Sequence, residues 1–270
     1  MSDAPGDEPE PIVTTSPRLS LGQALAIARE RSLWDRRAES WDIKGSAGLT
    51  HVVDAVLDEC GCSASGMALD LGCGSGQVTL RLARRYRRVL AVDVSGPTTA
   101  RLEAKSAAEG IENIQALTHP IETLELAPAS VDLIVSNYAL HHLRDVDKAE
   151  LMRRSFRWLR PGGRLVIGDM MFGRGADCAD RVIISAKVRT MVSRGPAGWW
   201  RLAKNVWRFG LRLREKPLSS ARWESLIRQA GFDSIRTERV VAEASVLSAT
   251  KPMTDDSPTP AGSGNGPRNK

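Results

Sequence analysis

The chain has 270 residues, 42% of them hydrophobic and 26% charged, a balance that predicts a folded core. No run of about 18 apolar residues occurs, which excludes a spanning helix, and the opening MSDAPGDEPEPIVTTSP is acidic and proline-rich, which excludes a secretory signal. The net charge of +6 is local, because residues 174–216 hold eleven Lys/Arg against three acids while residues 1–17 hold four acids and no Lys or Arg. Basicity confined to one segment argues against nucleic acid as the partner of the whole chain. The four cysteines, Cys60, Cys62, Cys73 and Cys178, are too scattered for a disulfide framework or a four-ligand zinc site, and read as reduced thiols of a cytoplasmic protein.

In chain order, residues 1–18 read as a disordered tail, residues 19–250 as one domain and residues 251–270 as a Pro/Gly/Ser-rich disordered tail. Within the domain, GMALDLG, RVLAVDV, ENIQALT, SVDLIVS and GRLVIGDMMF are apolar runs of strand length. The amphipathic stretches QVTLRLARRY, PTTARLEAKSAAEG and KAELMRRSFRWLRPGG separate them. Continuous apolar strands alternating with helices predict an α/β fold, a parallel sheet covered on both faces, with ligands beyond the carboxyl ends of the strands. The third helix is expected to carry Arg153, Arg154, Arg157 and Arg160 in its last turns and to stop at Pro161-Gly162-Gly163. Residues 176–216 read as one or two further helices. A last helix begins near Ser219 or Ser220 and stops at Gly231, and strands over 232–239 and 241–249 follow.

The strongest chemical feature is Leu69-Asp70-Leu71-Gly72-Cys73-Gly74-Ser75-Gly76, between a strand and a helix. Glycines there permit a tight turn and close approach of a ligand to the backbone. Asp93 closes the next strand, where a carboxylate can accept both hydroxyls of a ribose. A structural turn beside a surface Asp is the plainer alternative. Cys73 inside the loop reads as a small packed residue rather than a nucleophile, and Cys60-Gly61-Cys62 lacks partners at metal-ligand spacing, so no metal is expected.

ALDLGCGSG followed by VLAVDVS resembles the class I S-adenosylmethionine (SAM)-dependent methyltransferases, small-molecule branch, and VDLIVSNYALHHLRD and RWLRPGGRLVIGDMMF resemble that family's fourth-strand and fifth-strand segments. The resemblance implies a Rossmann-like, seven-stranded, mostly parallel sheet flanked by helices, with SAM as cofactor. It implies that Asp70, Gly72, Cys73 and Gly74 line the methionine part of SAM, that Asp93 binds the ribose, and that Val94 and Ser95 lie beside the adenine. The family often has an Asp after the third strand that meets the adenine amine. Here Pro120 stands in that place, leaving His119 or a backbone carbonyl for the contact. The segment Trp34 to Asp42 is similar to an aromatic-rich N-terminal helix in which the residue at Trp41 closes over the cofactor. A simple packing helix is the alternative, since Trp34 and Trp41 share one helical face.

Methyl transfer requires alignment, exclusion of water and, for an O or C nucleophile, removal of a proton. Polar residues expected at the strand ends are Asn137, for SAM or substrate, and His141, His142 and Asp169 as candidate catalytic groups. Histidine titrates near neutral pH and suits a general base. The plainer alternatives are a helix cap, an exposed ring and a hydrogen bond from Asp169 to the loop. Ser136-Asn137-Tyr138-Ala139 lacks the prolines of the branch that methylates bases of nucleic acid. Residues 174–216, with Trp199, Trp200 and Trp207 among basic residues, read as a helical lid insertion suited to a hydrophobic or aromatic acceptor. Its basic face is either solvated, or meets an anionic group, or touches a membrane surface. The expected function is methyl transfer to a small organic acceptor at O, N or C. The rivals are action on a lipid or prenylated quinone at a membrane, and a SAM-binding regulatory protein without turnover.

Overall fold

The computed structural model describes residues 14–15, 20–43, 47–172, 185 and 216–253. The expected insertion at 174–216 lies outside the described residues except for Ser185 and Lys216, as do most of both expected tails. Two tail boundaries change. Thr14–Thr15 (β1) pairs antiparallel with Leu124–Glu125 (β5), so chain inside the expected N-terminal tail joins a strand. At the other end the order extends past residue 250. Lys251 is buried, its Nζ donates to the Leu159 carbonyl at 3.0 Å, and its backbone exchanges hydrogen bonds with Gly162 and Gly163.

The chain runs α1 (Leu21–Ile43), α2 (Ala47–Cys60), β2 (Ser63–Leu71), α3 (Thr79–Leu82), β3 (Tyr86–Asp93), α4 (Gly96–Ala108), β4 (Ile114–Thr118), β5, β6 (Val131–Asn137), α5 (Asp145–Trp158), β7 (Leu159–Met170), α6 (Ser220–Gln229), β8 (Asp233–Val241) and β9 (Ala244–Thr250). A seven-stranded sheet has the order β4-β3-β2-β6-β7-β9-β8. Its first five strands are parallel, and β9 runs antiparallel to both β7 and β8. The sequence-based fold class therefore stands. β2 is flanked by β3 and β6, so the chain leaves it in opposite directions and a crevice opens at its carboxyl end.

The apolar runs are strands because both faces are covered. On one face Val52, Val53, Val56, Leu57 and Cys60 of α2 pack against Ala68, Val89, Leu133, Val135 and Val166. On the other, Leu69, Leu71, Leu90 and Ile134 meet Leu151, Met152 and Trp158 of α5 and Trp223, Leu226 and Ile227 of α6. Each such side chain contributes about 1.5–3 kcal/mol by leaving water. The buried positions of α2 recur at helical spacing, and the sequence reading assigned no element to them.

Three helix expectations are corrected. QVTLRLARRY gives only the four residues of α3, because Tyr86 is drawn into β3: its ring is buried and its hydroxyl donates to the Cys60 carbonyl at 2.7 Å. α5 ends at Trp158, three residues before Pro161, and Pro161-Gly162-Gly163 lies inside β7 where the register against β6 shifts. Of the four arginines, only Arg157 sits in the last turn of α5. Arg160 belongs to β7 and pairs with Asp132 at 2.7 Å, and Arg154 is buried, donating to the Leu124 carbonyl at 2.7 Å. Those two cations anchor chain crossings rather than complement the helix dipole. Ser219 caps α6 as expected, accepting from the Arg222 N–H, and Gly231 follows at φ +105°.

Candidate active site

The end of β2 turns sharply into the glycine loop. Gly72 and Cys73 both donate their N–H groups to the Val92 carbonyl, at 2.7 and 3.0 Å, which ties the loop to the end of β3. Gly74 donates to one oxygen of Asp93 at 3.0 Å and Ser95 donates to the other at 2.9 Å. The Asp93 carboxylate is therefore fixed by backbone N–H groups at both oxygens. Burial still raises its pKa, and those N–H bonds oppose the rise. Behind the loop Asp70, 1% exposed, accepts from the Thr79 hydroxyl at 2.6 Å. Burial pushes Asp70 up to about 7 against the Thr79 bond, with the Asp93 charge adding to the rise. Burial also pushes the Cys73 thiol up, away from the thiolate a nucleophile would need.

A cleft opens above this loop and encloses about 1230 Å³, the solvent at its mouth included. Of the residues the sequence singled out, Asp70, Gly72, Cys73, Gly74, Asp93, Val94, Asn137 and His142 all line it. Ser95 and His119 do not. Ser95 is buried and gives its hydroxyl to Asp35 at 2.7 Å, while Thr98 lines the wall instead. His119 Nε2 bonds Thr123 Oγ1 at 3.1 Å, and the acid reaching the cleft on that side is Glu122. The side chain of Trp41 lies outside the described residues. Trp34, seven residues earlier, lines the cleft with Ile27 and Ala38 of α1. That spacing was visible in the sequence, which offered Trp34 and Trp41 as one face of a helix. Glu122, Thr98, Tyr138 and Leu143 had no sequence signal that singled them out.

The polar wall is acidic. Glu30, Asp70, Asp93 and Glu122 line the cleft, and among the described residues that line it none is Lys or Arg. Asn137 Oδ1 is buried with no hydrogen-bond partner, an acceptor left open at the cleft wall. Tyr138 beside it holds φ +52°, a conformation that a bulky residue adopts at a cost, and its N–H donates to the Gly168 carbonyl at 2.7 Å.

The three candidate catalytic groups separate. Asp169 is buried and accepts from His141 Nδ1 at 2.6 Å, from the His141 N–H at 2.9 Å and from the Met170 N–H at 2.7 Å. His141 is also buried, and neither of this pair lines the cleft. His142 does, with its ring 4.1 Å from that of His141 and edge-on to Trp34 at 5.2 Å. Lys216 holds the turn from behind, its N–H donating to the His141 carbonyl at 2.7 Å. Lys148, fully buried beneath Trp223, in turn donates to the Lys216 carbonyl. Among the described residues no group of three His, Cys, Asp or Glu is placed to hold a metal ion, and no helix is long and apolar enough to cross a membrane.

Residues 68–163 match the family described as a methyltransferase domain. An uncharacterized methyltransferase of Mycobacterium tuberculosis is 39% identical over 114 residues, 42% of this chain and 55% of that protein. One from Geobacillus kaustophilus is 28% identical over 159 residues, 58% of this chain and 70% of the relative. Among solved structures, a SAM-dependent methyltransferase from Aquifex aeolicus superposes with TM-score 0.55 at 17% identity, covering 80% of this chain and 97% of that one. The Burkholderia thailandensis 1,6-didemethyltoxoflavin-N1-methyltransferase, solved with 1,6-didemethyltoxoflavin and S-adenosylhomocysteine, gives TM-score 0.60 at 18% identity, covering 91% and 97%. These structural likenesses concern the fold. The glycine loop and the acid at the end of β3 both lie within residues 68–163, the stretch that is similar to a methyltransferase domain. The chain spans about half the length of the curated relatives it matches at 39% identity.

Proposed function

We propose that this protein transfers a methyl group from SAM to a small acceptor with a hydrophobic or aromatic body. The observation that carries the reading is the charge of the cleft: among the described residues four carboxylic acids and no Lys or Arg line it, beside a loop clamped to Asp93. Such a wall suits a ligand bearing a sulfonium and an ammonium. Asn137 Oδ1, buried and unpaired, supplies a further acceptor for a ligand N–H or O–H. The residues present thus fit SAM, which when bound supplies an electrophilic methyl group. Asp93 would hold the ribose, Gly72 and Gly74 would admit the chain of the ligand, and Asp70 would face its cationic end.

The lining also includes the apolar side chains of Ile27, Trp34, Ala38, Tyr138 and Leu143, and this supports an acceptor with an apolar body. The didemethyltoxoflavin of the Burkholderia enzyme is an acceptor of that kind. His142 is the candidate that lines the cleft, and its role would be to take the acceptor's proton. His141 and Asp169 would act through it, as positioning residues that fix the turn. A hydroxyl or carbon acceptor needs this step, whereas an amine with a free lone pair does not.

The test is in two parts. Calorimetry should give saturable binding of SAM and S-adenosylhomocysteine. Incubation with methyl-labelled SAM and a metabolite extract should label a small molecule. On that acceptor His142→Asn should lower kcat by roughly 10²–10⁴ with SAM affinity intact. Binding without any labelled product would favour a regulatory SAM-binding protein. Label in a lipid or prenylated quinone would favour action at a membrane.

A further inference from the structure

A second opening adjoins the cofactor cleft and encloses about 1400 Å³, solvent included. It lies between α1 and the start of α5, and it shares Ile27, Glu30, Glu122 and His142 with the first cleft. The two spaces therefore meet at His142. Their charges differ. Among the described lining residues the cofactor cleft has no Lys or Arg, whereas the second opening adds Arg29, Arg36, Arg144 and Lys216. Asp147 is the one acid among its described lining residues that the first cleft lacks, and both its oxygens are engaged by Arg144, at 2.6 and 2.7 Å. The other cations have no carboxylate among the described residues. Arg36 donates to the Ser32 hydroxyl at 2.6 Å, and Lys216 Nζ reaches the His142 carbonyl at 3.4 Å. Glu122, on the shared wall, is held toward its neutral form by burial.

We propose that this second opening is the acceptor's subsite, and that it takes an anionic oxygen group, carboxylate or phosphate, on an acceptor whose reactive atom lies at His142. The proposal rests on the methyl-transfer reading and narrows its substrate class. Guanidinium and ammonium groups give charge-assisted bonds to such oxygens, and the arginine fork matches them in pairs. The two charge patterns also sort the ligands. Asp70 and Asp93, which line only the first cleft, disfavour an anionic acceptor there, and the cations of the second opening disfavour the sulfonium and ammonium of SAM. Each ligand is thereby kept from the other's place. Arg29 and Arg36 are exposed, so the attraction is screened by salt.

The test uses the full chain saturated with S-adenosylhomocysteine. Phenyl phosphate, benzoate and the neutral isostere benzamide are titrated calorimetrically. Phenyl phosphate and benzoate should bind saturably, with benzamide at least about tenfold weaker, and raising salt from about 50 to about 500 mM should weaken only the two anions. Combining Arg29→Gln with Lys216→Gln should raise the Kd of the anions about tenfold and leave S-adenosylhomocysteine affinity unchanged. Arg29→Gln alone, at an exposed helix position, should shift the same Kd in the same direction and serves if the double variant does not fold. Equal binding of benzamide and benzoate, no binding of any probe, or unchanged anion affinity in the folded variants would overturn the proposal. Failure of S-adenosylhomocysteine itself to bind would instead overturn the methyl-transfer reading, and the subsite with it.

Discussion

Gly72 and Gly74 both hold positive φ, +75° and +53°, for different reasons. A Cβ on Gly72 would collide with the Ala139 methyl, whereas a Cβ on Gly74 would meet no protein atom within 4 Å and would stand in the cleft. Gly72→Ala should therefore cost the fold about 1–3 kcal/mol through overpacking, read as a lowered Tm. Gly74→Ala should cost the fold about 1–2 kcal/mol of backbone strain, yet should abolish SAM binding by calorimetry. A folded Gly74→Ala protein with normal SAM affinity would show that this loop is not the cofactor cradle. Asp93 gives a second contrast. Its two oxygens are fixed by Gly74 and Ser95, which leaves lone pairs for a ribose. Asp93→Ala should weaken SAM binding by about 2–3 kcal/mol. Unchanged affinity in that variant would remove Asp93 from the site.

Among elements, α1 bears most directly on binding, because Ile27, Trp34 and Ala38 put one of its faces over the cleft. Asp35 on the same helix accepts from the buried Ser95 hydroxyl, which also accepts from Thr98 at 2.9 Å. Ser95 is the residue whose N–H steadies Asp93, so one residue joins the covering helix to that carboxylate. Asp35→Ala and Ser95→Ala should each speed amide exchange across 21–43 and weaken SAM about threefold to tenfold, since a charge-assisted bond is lost. The double variant should be little worse than either single, because both remove the same bond. Wild-type exchange rates in both single variants would mean that other contacts hold α1. This latch had no sequence signal: it joins residues 60 apart whose types are common on any surface. The β-strands were legible because a two-face-buried strand must be an unbroken apolar run, and the loop after β2 because a reversal of this tightness requires glycine. Helix limits were less legible, since the end of α5 is set by β7 pairing with β6 and β9 rather than by Pro161 itself. The division of labour between His141 and His142 was also hidden. Adjacent histidines are equivalent in sequence, and only the turn held by Asp169 buries one and presents the other.

For the molecule as a whole, the acidic cleft ties stability to pH through Asp70. Its carboxyl moves from an ordinary value of 3.8 to about 7 in the folded protein, mainly because burial penalises the charge. The unfolded chain releases this proton near pH 4 and the folded chain holds it until about pH 7, so between those values the native state binds more protons. Stability from this group is therefore full below pH 4 and is lost as pH rises through about 7. Asp93, also raised by burial, adds to the same slope. Asp70→Asn keeps an acceptor for the Thr79 hydroxyl and has no charge to bury. Urea unfolding at pH 5, 6, 7 and 8, roughly spanning this window, should show the ligand-free wild type falling relative to Asp70→Asn as pH rises. Other titrating groups are common to both proteins and drop out of the difference. SAM should reverse the sign of the effect, because a cationic ligand beside Asp70 favours the ionised carboxyl and its binding expels the proton. SAM affinity of the wild type should accordingly strengthen from pH 6 to 8, about the range over which Asp70 ionises, while Asp70→Asn binds more weakly and with a flatter profile. Parallel stability curves for the two proteins would show that Asp70 does not titrate in this range, and the link between cleft charge and folding would be wrong.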